Sequence, residues 1–428
     1  MNMGLISLLV LVLAIFIGFK RGVNTGLVSI AFSFILGFFV MTDISKDPAV
    51  PKLVAMSAAA AKGKALVAGF NTSLFFILVG MTFLFSIAKV NGTLELLARK
   101  SAHLAKGNRK LIPILFFVFS TVLAAIGPGN IAVCALVLPI AMAVAHEEKI
   151  SSLLMAAMVI AGSNAGGLSP IAPTGIIGTQ LSEKIGFNTS MHVFINMVIA
   201  QVVIAAVCFV VLGGLKLKKD TDVAEAKVEA FNSVQIQTLV VIALVVAAII
   251  VLKLHIGMIA FLGGAVLLLL NAADEKKTIA AMPWGTLLLV TGVGVLVNVV
   301  DKAGGIKYLT DTLSAFMNTT TAAPIMTIVG GLMSSVSSAS GVVMPTLIPT
   351  VPGLVETMGG AVKGETLISA IILGAHFVTN SPLSTLGALA MASAHESEDN
   401  DKLFRGLLVL GFGGVLFGAL LVLVGIVR

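Results

Sequence analysis

Long apolar runs, broken by short polar or basic interruptions, extend from one end of the chain to the other. A membrane-spanning helix needs about 20 mostly apolar residues to cross a hydrocarbon layer of about 30 Å. The pattern predicts spanning helices near 4–19, 27–42, 71–88, 150–180, 191–215, 235–253, 256–271, 284–301, 366–393 and 403–427. Two further stretches, 111–145 and 321–357, are interrupted in the middle. The first breaks at Gly127-Pro128-Gly129-Asn130 and the second at Ser337-Ser338-Ala339-Ser340-Gly341. Each arm has about 15 residues, short for a full crossing. Both stretches are therefore expected to be re-entrant hairpins, whose non-helical tips must sit inside protein or beside water. Leu5–Phe19 lacks a basic leader and a small-residue cleavage site, and Lys20 and Arg21 follow it, so it is expected to be a retained first helix.

Composition agrees with this pattern. Over 428 residues only 11% are charged, and the mean hydropathy is +1.09, too apolar for a soluble core. The net charge of +7 is no signal for nucleic acid, because Lys and Arg sit at the ends of the apolar runs, where they set topology. With the N-terminus outside, 17 of the 27 fall in inner loops. The polar stretch Lys216–Ser233 is expected to be an inner linker. Cys134 and Cys208 lie in apolar runs and support no disulfide framework. The chain carries no phosphate-binding glycine loop, metal-ligand cluster or nucleophile–base pair, so an enzyme is not expected and no cofactor is called for.

The two halves of the chain match each other. Lys89-Val90-Asn91-Gly92 aligns with Lys302-Ala303-Gly304-Gly305, and Pro139 with Pro349. Gly162, Ser169-Pro170 and Gly175 align with Gly374, Ser381-Pro382 and Gly387. The offsets are 213, 210 and 212. Each half holds five crossings, one hairpin and one broken helix, at 150–180 and 366–393. Five is odd, so the second half must be inverted. The expected fold is an all-α polytopic membrane protein with inverted repeats 1–215 and 234–428, joined by 216–233.

Inverted repeats with broken helices place a binding site near the midplane, where the halves meet. The four breaks are the two hairpin tips, Gly162–Gly175 and Thr379–Gly387. Glycine and proline there free backbone amides and carbonyls, although they also serve close helix packing and kinks. Freed amides at half-helix N-termini suit an anion. On that basis Gly129, Asn130, Ser169, Ser338, Ser340, Gly341, Asn380, Ser381 and Thr385 are the substrate candidates. Freed carbonyls, hydroxyls and amide oxygens suit Na+. The candidates for it are Gly127, Asn130, Ser163, Asn164, Gly166, Ser337, Ser340 and Thr379. No Asp, Glu, Lys or Arg lies deep in an expected span, which favours Na+ with neutral ligands over a proton-bearing carboxylate. His376, beside the last break, is the one candidate proton site. The basic, amphipathic stretch Gly92–Lys110 and its counterpart Thr310–Met317 are expected to lie along the membrane interface.

At these breaks, and over essentially its whole length, the sequence resembles the divalent anion/sodium symporters of the ion-transporter superfamily. It looks closest to the bacterial malonate/dicarboxylate carriers, above all through Ala88-Lys89-Val90-Asn91-Gly92-Thr93-Leu94 and Gly162–Gly175. The symporters carry Ser-Asn-Thr at each hairpin tip, with Pro nine residues after Asn. The matching triplets here are Gly129-Asn130-Ile131 and Ala339-Ser340-Gly341, of which only Asn130 is retained. The resemblance implies Na+-driven uptake of a small dicarboxylate across a bacterial inner membrane. It implies a homodimeric elevator in which hairpins and broken helices move against a scaffold. A proton-coupled carrier of gluconate-like or citrate-like acids, with His376 titrating, is the second expectation. A passive pore is the third, and a cation/proton antiporter, which would want a core carboxylate, the last.

Overall fold

Polar residues at the edges of the apolar runs start the helices. Asn71 accepts from the backbone N–H of Leu74 at 3.0 Å, Asp399 from that of Lys402 at 3.0 Å, and Asn232 with Gln235 forms a reciprocal capping box. The computed structural model describes residues 2–40, 63, 66–67, 69–104, 108–218 and 229–428. The first half contains α1 (Met3–Arg21), α2 (Thr25–Val40), α3 (Thr72–Val90), α4 (Thr93–His103), α5 (Leu111–Ala125), α6 (Gly129–Glu147), α7 (Ser152–Gly167), α8 (Pro173–Lys184) and α9 (Ser190–Val211). The second contains α10 (Ser233–Leu252), α11 (Ile256–Leu269), α12 (Glu275–Ala281), α13 (Trp284–Lys302), α14 (Gly305–Ser314), α15 (Ala322–Ser334), α16 (Ala339–Thr357), α17 (Gly364–Phe377), α18 (Thr385–Ala392) and α19 (Asn400–Leu423). Among the described residues the architecture is all-helical.

Among the described residues, eight helices are long and apolar enough to cross a membrane, or nine if the bent pair α15–α16 counts as one span. The sequence reading expected ten crossings. Three expected crossings fall short in length, whereas the hairpin arm α6, expected at about 15 residues, runs to 19 and is one of the eight. α2 has 16 residues and α11 has 14, and α7 stops after 16 at its break. Positions 41–42 of the expected second span and 219–228 of the expected linker lie outside the described residues. Two features depart from expectation in detail. Asp274 caps an unforeseen short helix, α12, by accepting from the N–H of Lys277 at 2.8 Å. The amphipathic helix of the second half begins at Gly305, earlier than expected, because Gly304 takes a φ of +80° and turns the chain there.

Each hairpin reverses at its break. Arg109 and Glu148, which flank α5–α6, form an ion pair at 3.1 Å, so both ends of the first hairpin lie on one face. The axes of α15 and α16 differ by 117°. Against the hairpins lie α7 and α17, buried on nearly every side, as expected of helices that are apolar all round. The span over Gly364–Ala392 is 83% buried, whereas α1 and α10 are 28% buried and face outwards. Glycine allows the closest contacts in matched places. A Cβ on Gly162 would strike the carbonyl of Phe117 on α5, and one on Gly374 that of Thr327 on α15. Around this centre, α2 crosses α13 at Gly26 and Gly292, and α11 crosses α3 at Gly257 and Gly80.

Hydrogen bonds between helix ends fix the faces. Asn91, ending α3, donates to Thr238 near the start of α10 at 2.8 Å. Asn24, before α2, donates to the Gly285 carbonyl at the start of α13 at 2.6 Å. The start of α1 packs against Gly304, just past the other end of α13. The first residues of α1 and the start of α10 therefore lie at opposite ends of the helices.

Candidate functional site

The first hairpin tip is built by glycine. Gly127 and Gly129 have φ of +143° and +79°, values that side-chain-bearing residues rarely adopt. A Cβ at Gly127 would also collide with Phe85 and Met81. This turn begins α6 at Gly129 and points Asn130, 6% exposed, into the protein. Asn130 Nδ2 donates to Asn164 Oδ1 at 3.0 Å. Asn164 Nδ2 donates to Thr379 Oγ1 at 2.9 Å and to the His376 carbonyl at 3.1 Å. Thr174 completes the chain by donating to Asn130 Oδ1 at 3.3 Å. One run of side chains thus joins the first tip, both parts of the first broken helix and the second broken helix. Satisfied buried networks of this kind fix one arrangement.

Two spaces adjoin this chain. The larger, about 280 Å³, lies between the end of α3, the start of α13 and the first tip. Gly129, Asn130, Thr174, Thr286 and Ser340 contribute to its wall. The first turns of α6, α8 and α13 all reach it, and helix N-termini carry partial positive charge. Lys89, exposed at the end of α3, is the only charged residue among the described ones that line it. The smaller space, about 30 Å³, lies between the second tip and the second broken helix. Ser334, Ser337, Ser338, His376, Thr379, Ser384 and Thr385 surround it. Asn130, Ile131 and Ser340 belong to both walls, so the recess and the cavity adjoin at these residues.

The residues singled out from sequence divide accordingly. Asn130 and Ser340 line both spaces, Gly129 the larger, and Ser337, Ser338, Thr379, Thr385 and His376 the smaller. Asn164 joins through its hydrogen bonds. The others line neither space. Ser163 donates to the Val159 carbonyl one turn back at 2.8 Å, and Ser169 to the Ala125 carbonyl at 2.6 Å, which ties the first break to α5. Gly127 packs on Phe85, Gly166 on the Thr121 carbonyl, and Gly341 on Leu289. Ser381 is fully buried against Gly411. Asn380 donates to the Phe377 carbonyl at 3.4 Å, and its side-chain oxygen has no partner among the described residues.

Sequence reasoning missed Thr174, Ser334, Ser384 and Lys89. Thr174 follows Pro173 in the quoted first break, so its position was in view but not its direction. Ser384 likewise lies inside the break Thr379–Gly387, and Ser334 flanks the second hairpin tip. Lys89 reads as a boundary charge from sequence, because a lysine ending an apolar run normally is one.

Comparison with known proteins adds the family. The family model described as citrate transporter (CitMHS) matches residues 2–374. An uncharacterized transporter of Mycobacterium bovis and one of Mycobacterium tuberculosis are each 24% identical over 338 residues, covering 75% of this chain and 77% of theirs. Among solved structures, the YdaH transporter of Alcanivorax borkumensis superposes with a TM-score of 0.60 at 13% identity, over 86% of this chain and 89% of that one. MtrF of Neisseria gonorrhoeae, described as illuminating a class of antimetabolite efflux pumps, gives 0.58 at 14% identity, over 92% and 94%. At such identities these two show the fold alone. The sequence reading took the malonate/dicarboxylate carriers as nearest kin; the matching model is that of the citrate transporters. The protein is an integral membrane transporter, and the chain belongs to the citrate transporter family.

Proposed function

We propose that the protein is a secondary carrier of small organic polycarboxylates, citrate foremost, and that Na+ moves with them. The observation that carries this reading is the convergence of three helix N-termini and Lys89 on one cavity. No Asp or Glu is among the described residues lining it. Partial positive ends of helices stabilise anions without a full buried charge to desolvate. The family description supports citrate ahead of malonate or C4-dicarboxylates, which share its chemistry of several carboxylates on a short frame. Na+ is the coupling ion in this reading because the described residues lining the cavity offer neutral oxygens, on Asn130, Thr174 and Ser340, and no carboxylate. The two halves act as inverted repeats of a homodimeric elevator, with hairpins and broken helices moving together against the outer helices. A second reading, coupling to a proton on His376, is favoured by one observation: His376 is 1% exposed and lines the recess.

Uptake of labelled citrate, malate, succinate and malonate into proteoliposomes at fixed pH tests the proposal. Citrate should accumulate when a Na+ gradient is imposed and should exchange in counterflow. Accumulation driven by a pH gradient and indifferent to Na+ would move coupling to the proton. Equilibration without counterflow would mean a pore and end the carrier reading.

A further inference from the structure

We infer that the recess behind the hairpin tips recognises a hydroxyl group, and that His376 makes the carrier select hydroxy acids over their deoxy counterparts. This rests on the organic-acid reading above and names the substrate class more narrowly. His376 is buried in the last turn of α17, and its Nδ1 lies 2.7 Å from the Ile372 carbonyl oxygen. A carbonyl only accepts, so Nδ1 carries the proton and neutral Nε2 presents a bare lone pair. Nε2 has no hydrogen-bond partner among the described residues. A buried acceptor left unpaired is costly, and native sites rarely leave one without purpose.

The neighbouring hydroxyls do not answer it. Ser334 donates to the Ala375 carbonyl at 2.8 Å and Ser337 to that of Met333 at 2.6 Å. Thr379 donates to the His376 carbonyl at 2.6 Å and Ser384 to that of Thr379 at 2.8 Å. Each gives its proton to a backbone carbonyl, and the Thr379 oxygen also accepts from Asn164 Nδ2. Nε2 is therefore an acceptor that none of these four hydroxyls serves. A carboxylate, itself an acceptor, does not suit it. A hard alkali ion prefers an all-oxygen shell to an imidazole nitrogen. At about 30 Å³ the recess holds roughly one water-sized group. It shares Asn130 and Ser340 with the cavity. A hydroxy acid held there by its carboxylates reaches the recess with its hydroxyl. Sites built to bond a substrate hydroxyl discriminate strongly against the analogue without it, because their own polar group is then stranded.

The test is competition against labelled citrate uptake in proteoliposomes by two matched pairs: unlabelled citrate and propane-1,2,3-tricarboxylate, and malate and succinate. In the wild type the hydroxylated member of each pair should inhibit at roughly tenfold lower concentration or less. His376→Phe should bring the ratio close to one. His376→Gln, which keeps an acceptor at a displaced position, should give an intermediate ratio and guards against a Phe variant that does not fold. Equal inhibition by both members in the wild type overturns the inference, as does an unchanged ratio in either variant. A variant that alters Na+ dependence but leaves the ratio alone assigns the recess to the ion and overturns it equally. Should no polycarboxylate be carried at all, the organic-acid reading itself fails; uptake without discrimination defeats only the hydroxyl subsite.

Discussion

The two hairpin tips are made differently. The first turns on Gly127 and Gly129 in left-handed conformations and commits one amide, Asn130, to a chain of side chains. The second has no positive φ from Ser337 to Gly341. Ser338 caps a π-helical turn there, its hydroxyl accepting from Gly341 N at 3.1 Å and its carbonyl from Val342 N and Val343 N at 2.9 and 3.0 Å. Three of its serines, Ser337, Ser338 and Ser340, line the recess. Two differently built tips therefore carry two chemistries. An amide that both donates and accepts links elements on the first side, while hydroxyls wall a small pocket on the second. In the inverted-repeat reading, this asymmetry separates a networked tip from one that shapes specificity.

Removing Asn130 breaks the comparison most severely. Asn130→Ala strands Asn164 Oδ1 in a buried place, at a cost of roughly 1–3 kcal/mol, and deletes a ligand for substrate. Uptake measured as kcat/KM should fall by about a hundredfold or more, while fluorescence-detected size-exclusion still shows folded protein. Next come the glycines that bring each hairpin onto its broken helix. Gly162→Ala and Gly374→Ala should each lower stability by roughly 1–3 kcal/mol. Thermal unfolding in detergent checks this, and similar losses are expected because both place a methyl against a backbone carbonyl. Ser340→Ala, at the second tip, should reduce uptake by about tenfold or less, since the hydroxyl has no fixed partner to strand. The smallest effect belongs to Lys89. Lys89→Gln should raise KM about two- to fivefold at low salt and leave kcat unchanged. The difference should vanish as ionic strength rises, because the side chain is exposed and its field is screened within about 10 Å at 0.1 M salt.

Much of the architecture was legible because breaking an apolar helix takes conspicuous residues. Gly127-Pro128-Gly129, Gly166-Gly167 and Ser381-Pro382 announce their breaks, and Thr93–His103 shows an amphipathic pattern that periodicity detects. The site was legible only in part, because identity and direction are different facts. Ser163 and Ser334 look alike in sequence, yet Ser163 bonds its own helix while Ser334 reaches across to Ala375 and borders the recess. Which carbonyl a hydroxyl meets depends on the register of a neighbouring helix, and no local pattern encodes that. The short helix α12 went unseen for a related reason. Its cap, Asp274, is an ordinary loop residue until the chain beyond it turns helical.

Citrate binding followed by calorimetry at several Na+ concentrations, in the wild type and in Asn130→Ala, tests most directly whether the first tip couples substrate to ion. In the wild type, Na+ should tighten citrate and citrate should tighten Na+ by the same factor, since coupling of two binding events is reciprocal. In Asn130→Ala that factor should shrink towards one together with the affinity. Citrate bound as tightly, with the same Na+ dependence, in the variant as in the wild type would contradict the role given to Asn130.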